Sequence, residues 1–146
     1  MAQYASRILY CDDELGEQPE RVAMLERKGF KVDVARNGAT CLRCLRDNTY
    51  HALILDIMMP TGGNVVDSTE AREGYQTGLV VLRTIREEKR LMSLPVIVVT
   101  AYPGQEAKRE IIDRLGVPAR FYLEKPVPSA VIVDRLKEAV PIQHRE

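Results

Sequence analysis

The sequence lacks the features that mark secreted and membrane proteins. It has three cysteines, Cys11, Cys41 and Cys44, and this odd number argues against a disulfide framework. No apolar run approaches the roughly 18 residues that a membrane span needs. The first residues also lack the basic-then-apolar order of a secretory signal. We therefore expect a cytoplasmic protein that has no membrane contact.

The chain also has no net charge. Its 21 Lys+Arg residues balance 21 Asp+Glu residues, which disfavours direct binding to nucleic acid because such binding needs a basic face or tail. Apolar residues make up 45% and charged residues 29%, as in folded domains rather than disordered chains. A length of 146 residues predicts one domain, 1–146.

Short apolar runs alternate along the chain with longer amphipathic segments. The first, third and fourth runs are continuously apolar, which is typical of strands buried on both faces of a parallel sheet. Five strand–helix units predict an α/β fold with helices on both faces of the sheet. The predicted strands are 7–11, 31–35, 52–55, 95–99 and 119–123, and the predicted helices are 18–28, 38–47, 78–90, 104–115 and 129–140.

One segment interrupts this alternation. Residues 61–77 are polar, contain three glycines and show no apolar period. A loop of this length inside a compact domain is unusual and is often functional, although surface insertions are also well tolerated. Both interpretations stay open for this insertion.

Polar residues stand directly after the predicted strands. They are Asp12, Asp13, Asp56, Thr100 and, shortly after the fifth run, Lys125. Any one of them is commonly only a turn or a helix cap. Because ligands of open parallel sheets bind beyond the carboxyl ends of the strands, we expect these side chains to converge.

The charges of these residues indicate their chemistry. Three neighbouring carboxylates repel one another, and a hard divalent cation such as Mg²⁺ (or Mn²⁺) relieves that repulsion. One carboxylate can then attack phosphorus as a nucleophile. The transferred group would be stabilised by the hydroxyl of Thr100 and the ammonium of Lys125. The pattern therefore predicts a phosphoryl-acceptor site.

Four motifs, in this order, resemble the receiver domain of bacterial two-component response regulators, of the chemotaxis-regulator-like, single-domain type. The resemblance covers nearly the whole chain and implies a flavodoxin-like, doubly wound (βα)5 fold with a five-stranded parallel sheet in the order 2-1-3-4-5. The motifs are Ile8–Glu14, Leu53–Pro60, Val96–Ala101 and Lys125-Pro126.

The resemblance also implies roles at the matching positions. Asp56 would be the phosphoacceptor, and its donor a sensor histidine kinase or a histidine phosphotransfer protein. Asp13 would bind Mg²⁺ directly, Asp12 largely through water, and Met58 through its backbone carbonyl, so that these residues and Asp56 form the metal site. Thr100 would bond a phosphoryl oxygen.

Further implied roles concern the end of the chain. Lys125 would pair with the phosphorylated aspartate, and the Lys125–Pro126 bond would be a cis candidate. Tyr122 would turn inward when Thr100 moves, so that phosphorylation changes the surface of the fourth and fifth units. The chain would act as a phosphoprotein and not as an enzyme beyond its own phosphorylation and dephosphorylation.

The sequence departs from the family pattern in the length of one loop. The glycine usually found four residues after the Met-Pro pair corresponds here to Gly78, 18 residues after Pro60 (78 − 60), so about 14 residues are inserted. We expect the insertion to contact the partner or cover the phosphoryl group. Bulk at Met58 and Tyr102 predicts slow self-dephosphorylation. No output domain is expected, so the downstream target would be an unidentified protein.

Two other functions remain as alternatives. An aspartate-nucleophile, metal-dependent phosphatase of the haloacid-dehalogenase type needs Asp-x-Asp after the first strand, whereas here Glu14 stands two residues after Asp12. A pseudo-receiver would bind partners without phosphorylation, and its usual sign is the loss of an acid or the lysine. The Cys41-x-x-Cys44 pair is interpreted as packing and the charged end 86–90 as solvated.

Overall fold

The structure, a computed structural model, describes residues 6–60, 62 and 76–140. Five parallel strands form one sheet in the order β2-β1-β3-β4-β5, which confirms the predicted α/β class and strand order. The strands β1 to β5 are Ser6–Cys11, Phe30–Ala35, Ala52–Leu55, Val96–Thr100 and Tyr122–Glu124.

The centre of the sheet is the centre of the hydrophobic core. All residues of β3 and β4 are buried, in agreement with the continuous apolar runs that predicted them. Strand β1 lies between β2 and β3, with Leu9 opposite both Asp33 and Leu53. This register brings the carboxyl ends of β1, β3 and β4 to one edge, which we call the carboxyl edge.

Helices cover both faces of this sheet. Proline in the first turn of α1 and the Asn37 side chain, which accepts a hydrogen bond from the Thr40 N–H at the start of α2 (2.8 Å), mark two of the helix starts. The helices are α1 Pro19–Arg27, α2 Gly38–Asp47, α3 Thr77–Arg86, α4 Gln105–Arg109 continued by the π-helical turn Glu110–Arg114, and α5 Ser129–Ala139.

The fifth predicted strand, 119–123, was wrong in its first half. Ala119–Phe121 forms a 3₁₀ turn, closed by the hydrogen bond from the Phe121 N–H to the Pro118 carbonyl at 2.8 Å. Strand pairing begins only at Tyr122, which lies opposite Val98. An apolar run of this length fits a strand and a short turn equally well, and only pairing with β4 distinguishes them.

The charged segment 86–90 is exposed at 87–90, as predicted for a solvated helix end, whereas Arg86 is not. The Arg86 guanidinium is half-buried and donates to the main-chain carbonyls of Leu94 (2.7 Å) and Leu115 (2.8 Å). Arg90 donates to the Leu45 carbonyl of α2. Because helix C-termini and loops leave carbonyls without partners, long arginine side chains can satisfy them.

Three predictions on single features can be compared with the structure. Cys11 and Cys41 are buried and Cys44 is partly buried, as expected for packing residues. None of the helices in the described part of the chain is long and apolar enough to cross a membrane. The insertion at 61–77 lies outside the described residues except for Gly62, Gln76 and Thr77, and Thr77 already belongs to α3.

Candidate functional site

The carboxyl edge brings the three predicted aspartates together. One oxygen of each of Asp12, Asp13 and Asp56 lies within 4.8 Å of the others. Main-chain hydrogen bonds fix two of them, from the Asp12 N–H to the Ala35 carbonyl (3.0 Å) and from the Asp56 N–H to the Cys11 carbonyl (2.9 Å). Asp12 and Asp56 are buried and Asp13 is exposed, so the cluster opens to solvent on one side.

Lys125 reaches this cluster from the other side. Its main-chain N–H donates to the Thr100 carbonyl at 2.8 Å, which places it beside the end of β4. Its Nζ lies 2.9 Å from Asp12 Oδ2 and 3.0 Å from Asp56 Oδ2. The Lys125–Pro126 bond is cis, as the resemblance implied. The structure therefore assembles the predicted acids and lysine in one place.

Asp56 carries the strongest electrostatic perturbation among these acids. Its Oδ1 accepts the Met58 N–H at 2.9 Å and its Oδ2 accepts from Lys125. Burial and the neighbouring charge of Asp12 raise the pKa of Asp56 to about 6, and the two hydrogen bonds only partly offset this rise. Ionisation of Asp56 therefore lowers the stability of the folded protein, and a counter-ion or a reaction partner can offset this loss.

Burial and neighbouring charges also shift the pKa values of Asp13 and Lys125. Burial, followed by the charge of Asp12, raises the pKa of Asp13. Burial lowers the pKa of Lys125, but its hydrogen bonds to Asp12 and Asp56 outweigh burial and leave that pKa above its ordinary value. Lys125 is therefore a permanent cation at neutral pH.

Two buried hydroxyl groups, one at the end of β4 and one on β5, have no hydrogen-bond partner among the residues that the structure describes. They are Thr100 Oγ1 and Tyr122 Oη, and the Thr100 side chain is fully buried. The Tyr122 ring is buried too, with Lys108 Nζ 5.1 Å from its centroid. A buried hydroxyl without a partner is costly. At the end of β4 it suits a ligand oxygen, as predicted for Thr100.

Gly78 is required by the backbone that carries Asp56. A Cβ at this position would lie 2.4 Å from the Asp56 carbonyl oxygen and 2.6 Å from the Ile57 Cα. The Gly78 N–H also donates to the Ile57 carbonyl at 2.9 Å. This contact explains why a glycine stands here at the start of α3, despite the insertion before it.

Two side chains at this edge were missed by the sequence analysis. The Glu14 carboxylate lies 3.0 Å from Lys125 Nζ. Arg21 of α1 donates to the Val127 carbonyl at 2.5 Å, in the segment that follows Lys125. The signal for Glu14 was its place directly after the acidic pair. Arg21 had no signal, because its contact spans 106 positions of the sequence.

The donor set fits a hard divalent cation. Three carboxylates and one ammonium leave two uncompensated negative charges, and oxygen ligands are those that Mg²⁺ prefers. The orphaned Thr100 hydroxyl marks where a second group, rich in oxygen, can be bound next to this charge. The Met58 carbonyl stays a predicted ligand.

A doubly wound domain whose carboxyl edge joins acids, a lysine and an orphaned hydroxyl has the groups that stabilise a transferred phosphoryl group. The family model for the response regulator receiver domain matches residues 8–137. The chain belongs to this family. This membership gives no support to the haloacid-dehalogenase-type phosphatase.

Known proteins similar to this chain agree with the family. Protein PilH of Pseudomonas aeruginosa is 30% identical over 88% of this chain and 92% of its own length. Response regulator RR06 of Streptococcus pneumoniae is 26% identical over 91% of this chain, which spans only 52% of RR06. The chain therefore spans about half the length of most of the curated relatives it matches and most of the length of PilH.

A solved structure supports the fold. The receiver domain of the sensor histidine kinase PA1611 from Pseudomonas aeruginosa superposes with a TM-score of 0.71 at 24% identity, covering 95% of this chain and 100% of that one. That structure has a magnesium ion coordinated in its active-site cleft. At this level of identity the likeness concerns the fold alone.

Proposed function

We propose that Asp56 accepts a phosphoryl group from a phosphohistidine of a sensor histidine kinase or histidine phosphotransfer protein. A bond forms between an Asp56 oxygen and phosphorus while the phosphorus–nitrogen bond of the donor breaks, giving an acyl phosphate. The observation that carries the proposal is the contact of Asp56 with Lys125 Nζ at 3.0 Å, beside the partnerless Thr100 hydroxyl.

Each side chain has a defined part in this transfer. Lys125 neutralises charge that develops on the transferred group, and Thr100 donates to one of its oxygens. Asp12, Asp13 and Asp56 would hold Mg²⁺, which supplies further neutralisation when bound. The Met58 N–H, 2.9 Å from Asp56 Oδ1, orients the carboxylate for attack.

The consequence of phosphorylation is a change of surface. A phosphorylated Asp56 gives the Thr100 hydroxyl the partner that it lacks, and a shift of Thr100 leaves room for Tyr122 beside it. The reader of this surface would be a downstream protein. Self-dephosphorylation is expected to be slow because Met58 and Tyr102 hinder water. Cytoplasmic, stand-alone action stays a prediction.

A direct test is incubation with Mg²⁺ and acetyl phosphate, followed by mass spectrometry of the intact protein. We expect one added phosphoryl group on the natural protein and on an Asp134→Asn control, because Asp134 is an exposed aspartate of α5 that pairs with Arg135. We expect none on Asp56→Asn. Labelling of Asp56→Asn would assign the acceptor elsewhere, and no labelling of the natural protein would favour the pseudo-receiver.

A further inference from the structure

The ammonium group of Lys125 is shared among three acids. Its Nζ lies 2.9 Å from Asp12 Oδ2, 3.0 Å from Asp56 Oδ2 and 3.0 Å from Glu14 Oε1. Two of these contacts, with Glu14 and Asp56, are hydrogen bonds, and the contact with Asp12 is an ion pair. A phosphoryl oxygen that approaches Lys125 therefore competes with three carboxylates for the same ammonium group.

Glu14 differs from the other two acids in its exposure. Its side chain is 55% exposed, whereas those of Asp12 and Asp56 are 3% exposed. Its main-chain N–H donates to Asp12 Oδ1 at 2.9 Å, so the backbone of the same residue is fixed to the acidic pair. Glu14 therefore stands at the solvent side of the cluster with its carboxylate directed to Lys125.

We propose that Glu14 is a positioning residue that restrains Lys125 and thereby slows the phosphorylation of Asp56. This inference rests on the proposed function of Asp56. Of the three contacts, the exposed one with Glu14 is the cheapest to break, because water can solvate the freed carboxylate. Glu14 also adds a negative charge at the entrance through which an anionic donor must approach.

Removing this charge while keeping the shape should speed phosphorylation. Glu14→Gln retains the side-chain length and the main-chain N–H to Asp12, but weakens the hold on Lys125. For an exposed pair we expect acetyl phosphate to react about three- to fivefold faster. Phosphoramidate carries less net negative charge, so its acceleration should be smaller.

The matched control is Glu17→Gln. Glu17 is an exposed glutamate in the 3₁₀ turn Leu15–Glu17, which Glu14 directly precedes, and it has no ion pair among the described residues. The rate of Asp56 labelling by each donor is measured for the natural protein and both variants, at low and high ionic strength. We expect acceleration in Glu14→Gln alone, largest with acetyl phosphate at low salt, because salt screens exposed charges.

Other results would overturn the inference. They are an unchanged rate in Glu14→Gln, equal acceleration in Glu17→Gln, or acceleration that depends neither on the charge of the donor nor on salt. A second measurement needs no phosphorylation: the ¹⁵N NMR signal of the Lys125 ammonium should move in Glu14→Gln and stay in place in Glu17→Gln. If it stays in place in both, the pairing is absent. If it moves while the natural protein takes no label, the proposed function fails instead.

Discussion

Asp56 and Asp33 are both aspartates of the same sheet, yet their surroundings act on them in opposite directions. Asp56, at the carboxyl edge, shares its site with two other acids, and its pKa is raised to about 6. Asp33, on β2, lies 2.8 Å from Arg7 Nη2 and accepts the Tyr50 hydroxyl at 2.8 Å. Burial raises the pKa of Asp33, but these hydrogen bonds outweigh it and leave that pKa lowered.

Arg86, like Asp33, has its charged group hydrogen-bonded to other groups of the protein. It donates to the main-chain carbonyls of Leu94 and Leu115, which precede β4 and β5. We call this side of the sheet, where the strands begin, the amino edge. The polar groups in these two places are paired and stabilise the fold. Those at the carboxyl edge keep excess negative charge and a partnerless hydroxyl. The comparison teaches that the polar groups of the proposed reaction site lower the free energy of unfolding, whereas the paired groups elsewhere raise it.

The largest expected effect is at Asp56. Its folded-state pKa exceeds the unfolded one, so ionisation lowers stability as pH rises from about 4 to about 6. A difference of about two units corresponds to about 3 kcal/mol. Asp56→Asn should therefore raise the free energy of unfolding by up to that amount at pH 8 and by little at pH 4.5. Urea unfolding at both values checks this, and a destabilised variant at pH 8 would contradict it.

Arg86→Met should have the next largest effect, with the opposite sign. The substitution leaves buried carbonyls without a donor, which costs about 2–3 kcal/mol. Phosphorylation of the folded variant should be unchanged, because the change is at the amino edge. Lys89→Met is the control, since Lys89 is an exposed residue of the same charged segment. Equal unfolding midpoints for the two variants would show that the hydrogen bonds from Arg86 to these carbonyls do not stabilise the fold.

Mg²⁺ should stabilise the folded protein only by binding at the carboxyl edge. A ligand at ten times its dissociation constant raises the free energy of unfolding by about 1.4 kcal/mol. We expect this increase in thermal unfolding at pH 8, and a smaller one at pH 5, where Asp56 is largely protonated. Asp13→Asn should remove the response. The same increase in Asp13→Asn would place the ion elsewhere.

The smallest effect is expected at Asp33. Its contact with Arg7 is about one-third exposed, so Asp33→Asn should cost only about 1 kcal/mol at pH 7. Because the folded-state pKa is lowered, this stability is present above about pH 4 and lost as pH falls through the folded value. The difference between natural protein and variant should shrink below about pH 4 in chemical unfolding and vanish once Asp33 is protonated in the folded state. A difference that grows toward acid pH would refute the comparison with Asp56.

Local patterns were sufficient for the sheet and for most of the site. The continuous apolar runs of β3 and β4 predicted strands buried on both faces. Site residues end or directly follow four of the five strands, β1, β3, β4 and β5, and parallel strands end at one edge. The resemblance added the strand order and the cis Lys125–Pro126 bond, both of which the structure bears out. These features depend on residue types close together in sequence.

Contacts between distant segments were decided by the tertiary structure alone. Nothing local distinguishes Arg86, which binds carbonyls at the amino edge, from the solvated Lys89 beside it. Glu14 and Lys125 are 111 positions apart, and their contact exists only because β1 and β5 deliver them to one edge. The sequence by itself determined which charges the chain carries and that strands end in them. Packing determined which of those charges are paired and which are left to react, because pairing depends on distance in space.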